Sequence, residues 1–576
     1  MTSIHKKDWL WAVGLSMFSA ILLFLPSLQA LGGKENSIFM QIYEAFFHTQ
    51  QPEHILGDGV DPTGSFWIVG FVQDVLQGKR DTIVPELYAP FGVDLGIHEG
   101  FAWIDTLFAI PLRWWIGSPG FYNLHVLLTL FYTGIASYAL FRYISKDHWL
   151  SLLLSHLMVV NEFVYQEISY GRPTQANWMF ACLCTLMGFR LMKHSSPMSD
   201  WKGSIGLGIL LGAFCLTYWF GAVGLGATLG MWIITRYLQQ KQYKLLGIHG
   251  VLCVLGVTAV VAPIAWRAIY PILLGKGSIA YNSILEKPIT TWSFLQLPIY
   301  GKEMLLSLED VWIFIHGRHF PIVLLLSCIS TVSWLFYRKK WGWAILLCWS
   351  ICLPFGSSLV IFEQIIPTPY AVLEWIFPPL VRCNFPDRLM VTPLLITYCS
   401  IALLWKNNLW NRTWIRWSVP LLLIANLVIV WKSHSPNVQA FQINQALVDL
   451  TKKSPGGLIE FPIDRGNQTY VQSEFHHQAI LTGPGMMTIQ PPASKRYIEH
   501  NTVLQDLVAL NQNGYHPQYK PELVDILQLH KDGFRYFVFY LEEIQQPVAV
   551  FEKYFRVKGT LYEQYGIYVI PLEIPQ

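Results

Sequence analysis

Apolar runs of roughly 18 or more residues, the length a helix needs to cross a bilayer core, recur along the chain to about residue 431. The first, "HKKDWLWAVGLSMFSAILLFLPSLQAL" (5–31), follows basic residues and lacks a small-residue cleavage site. It reads as a retained helix with its N-terminus inside. Further spans are predicted near 121–141, 149–163, 174–191, 204–219, 221–237, 245–266, 320–337, 341–357, 389–405 and 415–431. With these eleven helices every loop predicted inside carries cations, among them Arg142 and Lys146, then Arg236, Lys241 and Lys244, then Arg338, Lys339 and Lys340. The short outside turns carry almost none, as the positive-inside rule requires.

One apolar run is left out of that count. "GFAWIDTLFAIPLRWWIG" (100–117) contains Asp105, Pro111 and Arg113, and as a span it would invert every later loop. It is expected to lie along the outer surface or enter partway, with its polar groups against protein. Three long segments then fall outside, 32–120, 267–319 and 357–388, together with the tail.

After about residue 432 the apolar runs shorten. "GGLIEFPI", "FRYFVFYL" and "YGIYVIPL" read as strands, and "QINQALVDLTKK", "ASKRYIEHNTVLQDLVALN" and "PELVDILQLHKDG" as helices. The predicted fold is a polytopic α-helical membrane protein of about eleven transmembrane helices, with a C-terminal soluble α/β domain. The expected domains are 1–431, with an acidic first external loop over 32–120, and 432–576 outside the membrane. His476 and His477 are adjacent, and on a strand they would face opposite ways, so they do not suggest a two-histidine metal site.

Composition agrees with a membrane chain: 53% of residues are hydrophobic, 13% are charged, and the mean hydropathy is +0.36. A net charge of +3 gives no case for nucleic acid. None of the nine cysteines sits in a metal or redox motif.

The first outside segment raises the chemical question. Up to residue 99 it holds ten Asp and Glu against Lys34, Lys79 and Arg80. "SIFMQIYEAFFHTQQ" and "SFWIVGFVQDVLQG" have helical apolar spacing and flank an acidic turn, "GDGVDP". Asp61 precedes Pro62, the pattern of an N-cap followed by first-turn proline, and Gly78 would close the same helix. Asp58 lies between Gly57 and Gly59, where a neighbouring group can approach the backbone closely. It is either a solvated loop aspartate or a carboxylate poised at the interface to take a proton or hold a divalent cation.

The layout resembles the GT-C superfamily of membrane glycosyltransferases, which take sugars from polyprenyl-phosphate or polyprenyl-diphosphate carriers. "GDGVDPTGSFWIVGFVQDVLQG" is similar to the first acidic motif of oligosaccharyltransferase catalytic subunits, with Asp58 on the catalytic aspartate. "VVNEFVYQEISYGRPTQANWM" (159–179) is placed like the second. There this chain has Glu162 and Glu167, five apart, and no following aspartate; it also lacks a WWD-type acceptor motif. The resemblance implies Asp58 as base or metal ligand, assisted by Glu162 or Glu167, with Asp61 a lesser metal candidate. A divalent cation, Mg or Mn, is implied for some members and not for others.

A departing lipid phosphate needs positive charge aimed at it. Arg382 and Arg388 in "PLVRCNFPDRLMVTPLL" stand at an outside span end, where the sidedness rule does not want them. They either bind phosphate bidentately or snorkel to headgroups, or pair with Asp387. Arg172 in "SYGRPT" is a third candidate. The expected function is transfer of a sugar from a polyprenyl-linked donor to an envelope protein or glycolipid acceptor, at the outer face of a bacterial inner membrane. A non-catalytic membrane scaffold whose outside domain binds partners is the alternative. A transporter fits less well, because the charges cluster in outside loops and not midway through the spans.

Overall fold

In a computed structural model the described residues are 6–25, 40–42, 46, 54–57, 61–94, 103–117, 120–193, 201–273, 331–337, 339–355, 358–361, 364–376, 386–405, 438–440, 443–463, 472–473, 475–483, 491–516 and 518–572, to which structural statements below refer. The chain forms two compact units, one of 1–59, 100–265 and 288–440, the other of 60–99, 266–287 and 441–576.

The first unit is helical. Its helices are α1 (Lys6–Phe24), α2 (Trp103–Ile116), α3 (Phe121–Ser145), α4 (His148–Val159), α5 (Glu162–Ser169), α6 (Pro173–Ala176), α7 (Met179–Lys193), α8 (Trp201–Gln239), α9 (Tyr243–Leu273), α10 (Trp341–Cys352) and α11 (Val391–Trp405). Among the described residues five helices are long and apolar enough to cross a membrane: Lys7–Phe24, Phe121–Ser145, Trp201–Gln239, Tyr243–Trp266 and Arg388–Trp405. The chain is an integral membrane protein by this measure. The predicted spans at 149–163, 174–191 and 341–357 fall on the shorter helices α4, α7 and α10. The span at 415–431 and much of that at 320–337 lie outside the described residues.

Helix α8 contains two of the predicted spans. A straight α-helix of its 39 residues would run about 58 Å, nearly twice a bilayer core. Its backbone leaves helical angles at Tyr218 (φ −151°, ψ 89°), and beyond that point it folds back. A Cβ on Gly226 would lie 3.7 Å from the Leu211 side chain, a contact a straight helix cannot make across fifteen residues. The break falls where the sequence places the boundary between 204–219 and 221–237.

Helix α3 is the hub, packing against α1, α2, α4, α7 and α11. Its buried hydroxyls bond locally, because a helix in apolar surroundings offers them little but backbone carbonyls. Thr129 donates to the His125 carbonyl at 3.0 Å, and Ser155 of α4 donates to the Gly134 carbonyl at 2.7 Å. Close approach is built from glycine: a Cβ on Gly134 would strike Ser16 of α1 at 2.6 Å. The first half of α8 meets α9 in the same way. A Cβ on Gly208 would overlap the Cys253 carbonyl oxygen, and one on Gly256 would lie 2.6 Å from the Ile205 carbonyl oxygen.

The second unit is α/β. Strands β3 (Gly457–Phe461), β4 (Phe534–Tyr540), β5 (Thr560–Tyr562) and β6 (Ile567–Pro571) form a sheet of order β3-β4-β6-β5. The β3–β4 pair is parallel and β6 is antiparallel to both of its neighbours. Leu504, Leu507, Phe551 and Ile526, from helices over 502–513, 548–555 and 523–531, pack with Ile459, Phe461, Phe537 and Phe539. The three strands and three helical regions expected from sequence are present, with two differences. The expected run from Ala493 divides at Asn501, whose extended backbone and side-chain cap on the Leu504 N–H start a new helix. β5 and the helix Val548–Phe555 are additional. His476 and His477 are not on a strand: they end a helical turn, with His477 at φ 54°.

This unit includes part of the first loop. The helix Asp61–Leu76 ends before Gly78, whose φ of 70° and N–H bond to the Val75 carbonyl close it as expected. Beyond it, Tyr88 N–H donates to Thr482 O at 3.1 Å and Ile480 N–H to Glu86 O at 2.7 Å, which lays 86–89 beside 480–482.

Candidate active site

The two ends of α3 differ in chemistry. At its C-terminal end Arg142 lies 3.4 Å from Asp8 at the start of α1, and Tyr138 bonds His148 at the start of α4 at 3.0 Å. The start of α1, the 146–147 turn and Arg142 therefore share one end of α3. Its N-terminal end lies about 30 Å away along the axis, close to a bilayer core thickness.

At that far end lie the strand that precedes Asp58 and the loop that follows the second acidic motif. Strand β1 (His54–Leu56) pairs antiparallel with β2 (Val438–Ala440), and the Leu56 N–H donates to Asn123 Oδ1 at 3.0 Å. Gly57 follows at φ 98°, a left-handed conformation that favours glycine. One turn position away, Tyr122 donates its hydroxyl to the Gly171 carbonyl at 3.3 Å. The first turn of α3 thus grips the strand that leads into Asp58 and the loop that follows Glu162 and Glu167.

The second motif is a short capped helix. Asn161 accepts from the Val164 N–H at 3.0 Å and starts α5, and Gly171 at φ 72° turns the chain after it. Five residues on a helix turn about 500°, so Glu162 and Glu167 point roughly 140° apart. Glu162 is half-buried, while Glu167 is 2% exposed. Glu167 Oε2 faces Arg172 Nη1 at 3.7 Å, and the Arg172 N–H donates to the Glu167 carbonyl at 2.7 Å. The guanidinium also sits 5.0 Å over the Tyr170 ring.

The remaining candidates are placed as follows. Asp58 and Arg382 lie outside the described residues. Asp61 begins the helix Asp61–Leu76, within a residue of the cap position expected for it. Arg388 stands half-buried in the turn Pro386–Met390 before α11, which packs against α8. Glu167 and Arg172 are brought together.

Sequence reasoning missed Tyr122, Asn123 and Asn177, and expected Asp105 against protein without naming a role for it. Asp105 of α2 is 1% exposed and accepts from Asn177 Nδ2 at 2.6 Å. Burial pushes its carboxyl up to about 7, partly offset by that hydrogen bond. The signal for the first pair was present, since polar residues at the start of an apolar span need a partner in protein.

A divalent cation needs several oxygens converging on one point. The described carboxylates do not supply them: Glu162 and Glu167 diverge, and Glu167 already has a cation. Among the described residues no group of three or more His, Cys, Asp or Glu is placed to hold a metal.

No protein-family model and no curated sequence matches the chain. Solved structures do. The arabinofuranosyltransferase AftD from Mycobacteria aligns over 100% of this chain and 40% of its own, with 11% identity and a TM-score of 0.54. This chain thus spans well under half the length of that protein. The Archaeoglobus fulgidus oligosaccharyltransferase in complex with Zn and sulfate aligns over 97% of this chain and 72% of its own, with 11% identity and a TM-score of 0.48. Its apo form gives 92%, 70%, 10% and 0.48. At this distance a likeness speaks for the fold and not for the reaction. The chain shares the overall fold of the mycobacterial arabinofuranosyltransferase AftD.

Proposed function

We propose that the protein is a membrane glycosyltransferase that moves a sugar from a polyprenyl-(di)phosphate carrier to an envelope acceptor on the outer face of the membrane. The observation that supports this reading is that the first turn of α3 holds both Leu56, two residues before Asp58, and Gly171, just after the Glu162–Glu167 helix, at the end of α3 opposite Arg142. The fold shared with the arabinofuranosyltransferase AftD supports it.

In this reading Asp58 removes the proton of the acceptor hydroxyl as that oxygen attacks the anomeric carbon. The bond from the anomeric carbon to the carrier phosphate breaks, and the phosphate leaves with the electron pair. Arg388 and Arg382 meet the charge that develops there, and Arg388 stands at the start of an apolar span where a lipid headgroup would sit. Arg172 holds Glu167 in place, and Glu162 is the more accessible of the two glutamates. The α/β unit lies outside the membrane and serves acceptor or partner binding, in a bacterial inner-membrane protein with a cytoplasmic N-terminus.

One observation favours the scaffold alternative: the second motif offers a carboxylate already matched by an arginine, without a convergent acidic pair. Deleting the gene and profiling polyprenyl-linked species separates the two. A transferase leaves its donor to accumulate; unchanged polyprenyl-linked species would favour the scaffold.

A further inference from the structure

Helix α2 buries Asp105 and Thr106 and exposes several of its large apolar residues. Asp105 and Thr106 are 1% and 0% exposed, whereas Trp114 and Trp115 are 68% and 71% exposed. An apolar outer face suits lipid, and the buried polar face then needs partners in protein. Asp105 finds one, Asn177, for one of its two oxygens. Its Oδ2 has no hydrogen-bond partner, nor has Thr106 Oγ1.

The segment that Asp105 is bonded to shows the same deficit. Gln166 Oε1, Ser169 Oγ and Gln175 Oε1 are buried without a partner, all within the α5–α6 stretch that ends at Asn177. Five unsatisfied polar atoms thus lie on two segments joined by the Asp105–Asn177 bond. Leaving buried acceptors unpaired is costly enough that folded proteins rarely do it. Two of the five are amide oxygens, which only accept, one is the Asp105 oxygen, which accepts when the carboxyl is ionised, and two are hydroxyls, which also donate. The complement is a ligand rich in hydroxyl donors that accepts in return. A bare cation would use the oxygens and leave the two hydroxyl protons unserved.

We propose that the buried face of α2 and the 166–177 stretch form a subsite for the hydroxyls of a sugar ring, anchored by Asp105. The choice of a sugar rests on the glycosyl-transfer reading; the polar set itself does not. Asp105→Asn keeps the size and the link to Asn177 through an amide flip, but replaces the free acceptor with a donor. Thr106→Val removes the neighbouring hydroxyl at constant shape.

The test uses purified full-length protein in nanodiscs and a panel of methyl pentosides, hexosides and N-acetylhexosaminides, read by saturation-transfer NMR. The parent should give saturation transfer to at least one glycoside. Asp105→Asn should weaken that binding by about tenfold or more, the equivalent of one hydrogen bond to a charged group. Thr106→Val should weaken it by a smaller factor, with an unchanged thermal midpoint. If no glycoside in the panel binds the parent, or if Thr106→Val and a folded Asp105→Asn both bind like the parent, the subsite is overturned. Glycoside binding lost in Asp105→Asn, with no transfer from any polyprenyl-linked donor, keeps the subsite and sinks the transferase reading. Normal transfer by Asp105→Asn does the reverse.

Discussion

Removing the guanidinium beside Glu167 tests whether the second acidic motif is held together by charge. The carboxylate is 2% exposed and the arginine side chain 25% exposed, so the pair is buried on one side and wet on the other. A fully buried pair broken on one side costs about 3–5 kcal/mol, and an exposed one about 0–1 kcal/mol. The 3.7 Å separation is longer than a close ionic hydrogen bond, which places Arg172→Met nearer the middle, at about 1–3 kcal/mol. The backbone bond from Arg172 to Glu167 survives the change, so the loop should keep its path. Pairing Arg172→Met with Glu167→Gln removes the stranded charge and should recover about 1–2 kcal/mol of the loss. The assay is a double-mutant cycle on reversible unfolding in detergent micelles, with donor KM measured alongside. A coupling energy near zero would refute the argument. Recovered stability with a donor KM that stays raised would mean that Arg172 also touches the donor phosphate.

Gly208→Val forces a branched side chain against the Cys253 carbonyl, and overpacking of this kind costs about 1–3 kcal/mol; the thermal midpoint should drop, while Gly230→Val, where a Cβ meets nothing within 4 Å, should leave it nearly unchanged. Burial holds His476 down at about 3 from an ordinary 6.5, so the folded α/β unit binds fewer protons than the unfolded chain between those values. Its stability should therefore fall as pH drops from about 6.5 towards 3, and His476→Gln should flatten that slope in pH-dependent unfolding. Arg388→Lys keeps the charge but loses the bidentate fork and should weaken donor use; Arg388→Ala should lose on the order of 2–5 kcal/mol if the phosphate contact is close and desolvated. Equal donor use by Arg388→Ala and parent protein would leave this arginine as a headgroup anchor.

Hydrophobic periodicity located many of the helices and strands. The boundary drawn between 204–219 and 221–237 matches the fold-back at Tyr218, because glycine and an aromatic cluster there interrupt two apolar stretches each of spanning length. Setting aside 100–117 was also sound as regards its polar groups, since Asp105 does lie against protein. What sequence did not show were contacts between distant segments. The Leu56–Asn123 and Asp105–Asn177 bonds join residues 67 and 72 positions apart, and no local pattern encodes such a meeting. The strand reading of the histidine pair did not hold, because a helical turn precedes it and a left-handed turn at His477 ends that segment. Asn501 split a predicted helix for a reason visible in hindsight: an asparagine followed by Thr502 offers a cap to a new helix as readily as a place inside an old one.

The central claim is that the residue following the gripped strand β1 and Gly57 does the chemistry. The most direct measurement is turnover of a synthetic polyprenyl-phosphate sugar, of the kind that accumulates on deletion, by purified parent, Asp58→Asn and Asp61→Asn proteins. Asn keeps the volume of Asp and removes the charge, so Asp58→Asn should abolish transfer while the protein remains folded in its micelle or nanodisc. Asp61→Asn should keep most activity, because Asn caps a helix about as well as Asp. Near-normal turnover by Asp58→Asn would contradict the account, whatever the other variants show.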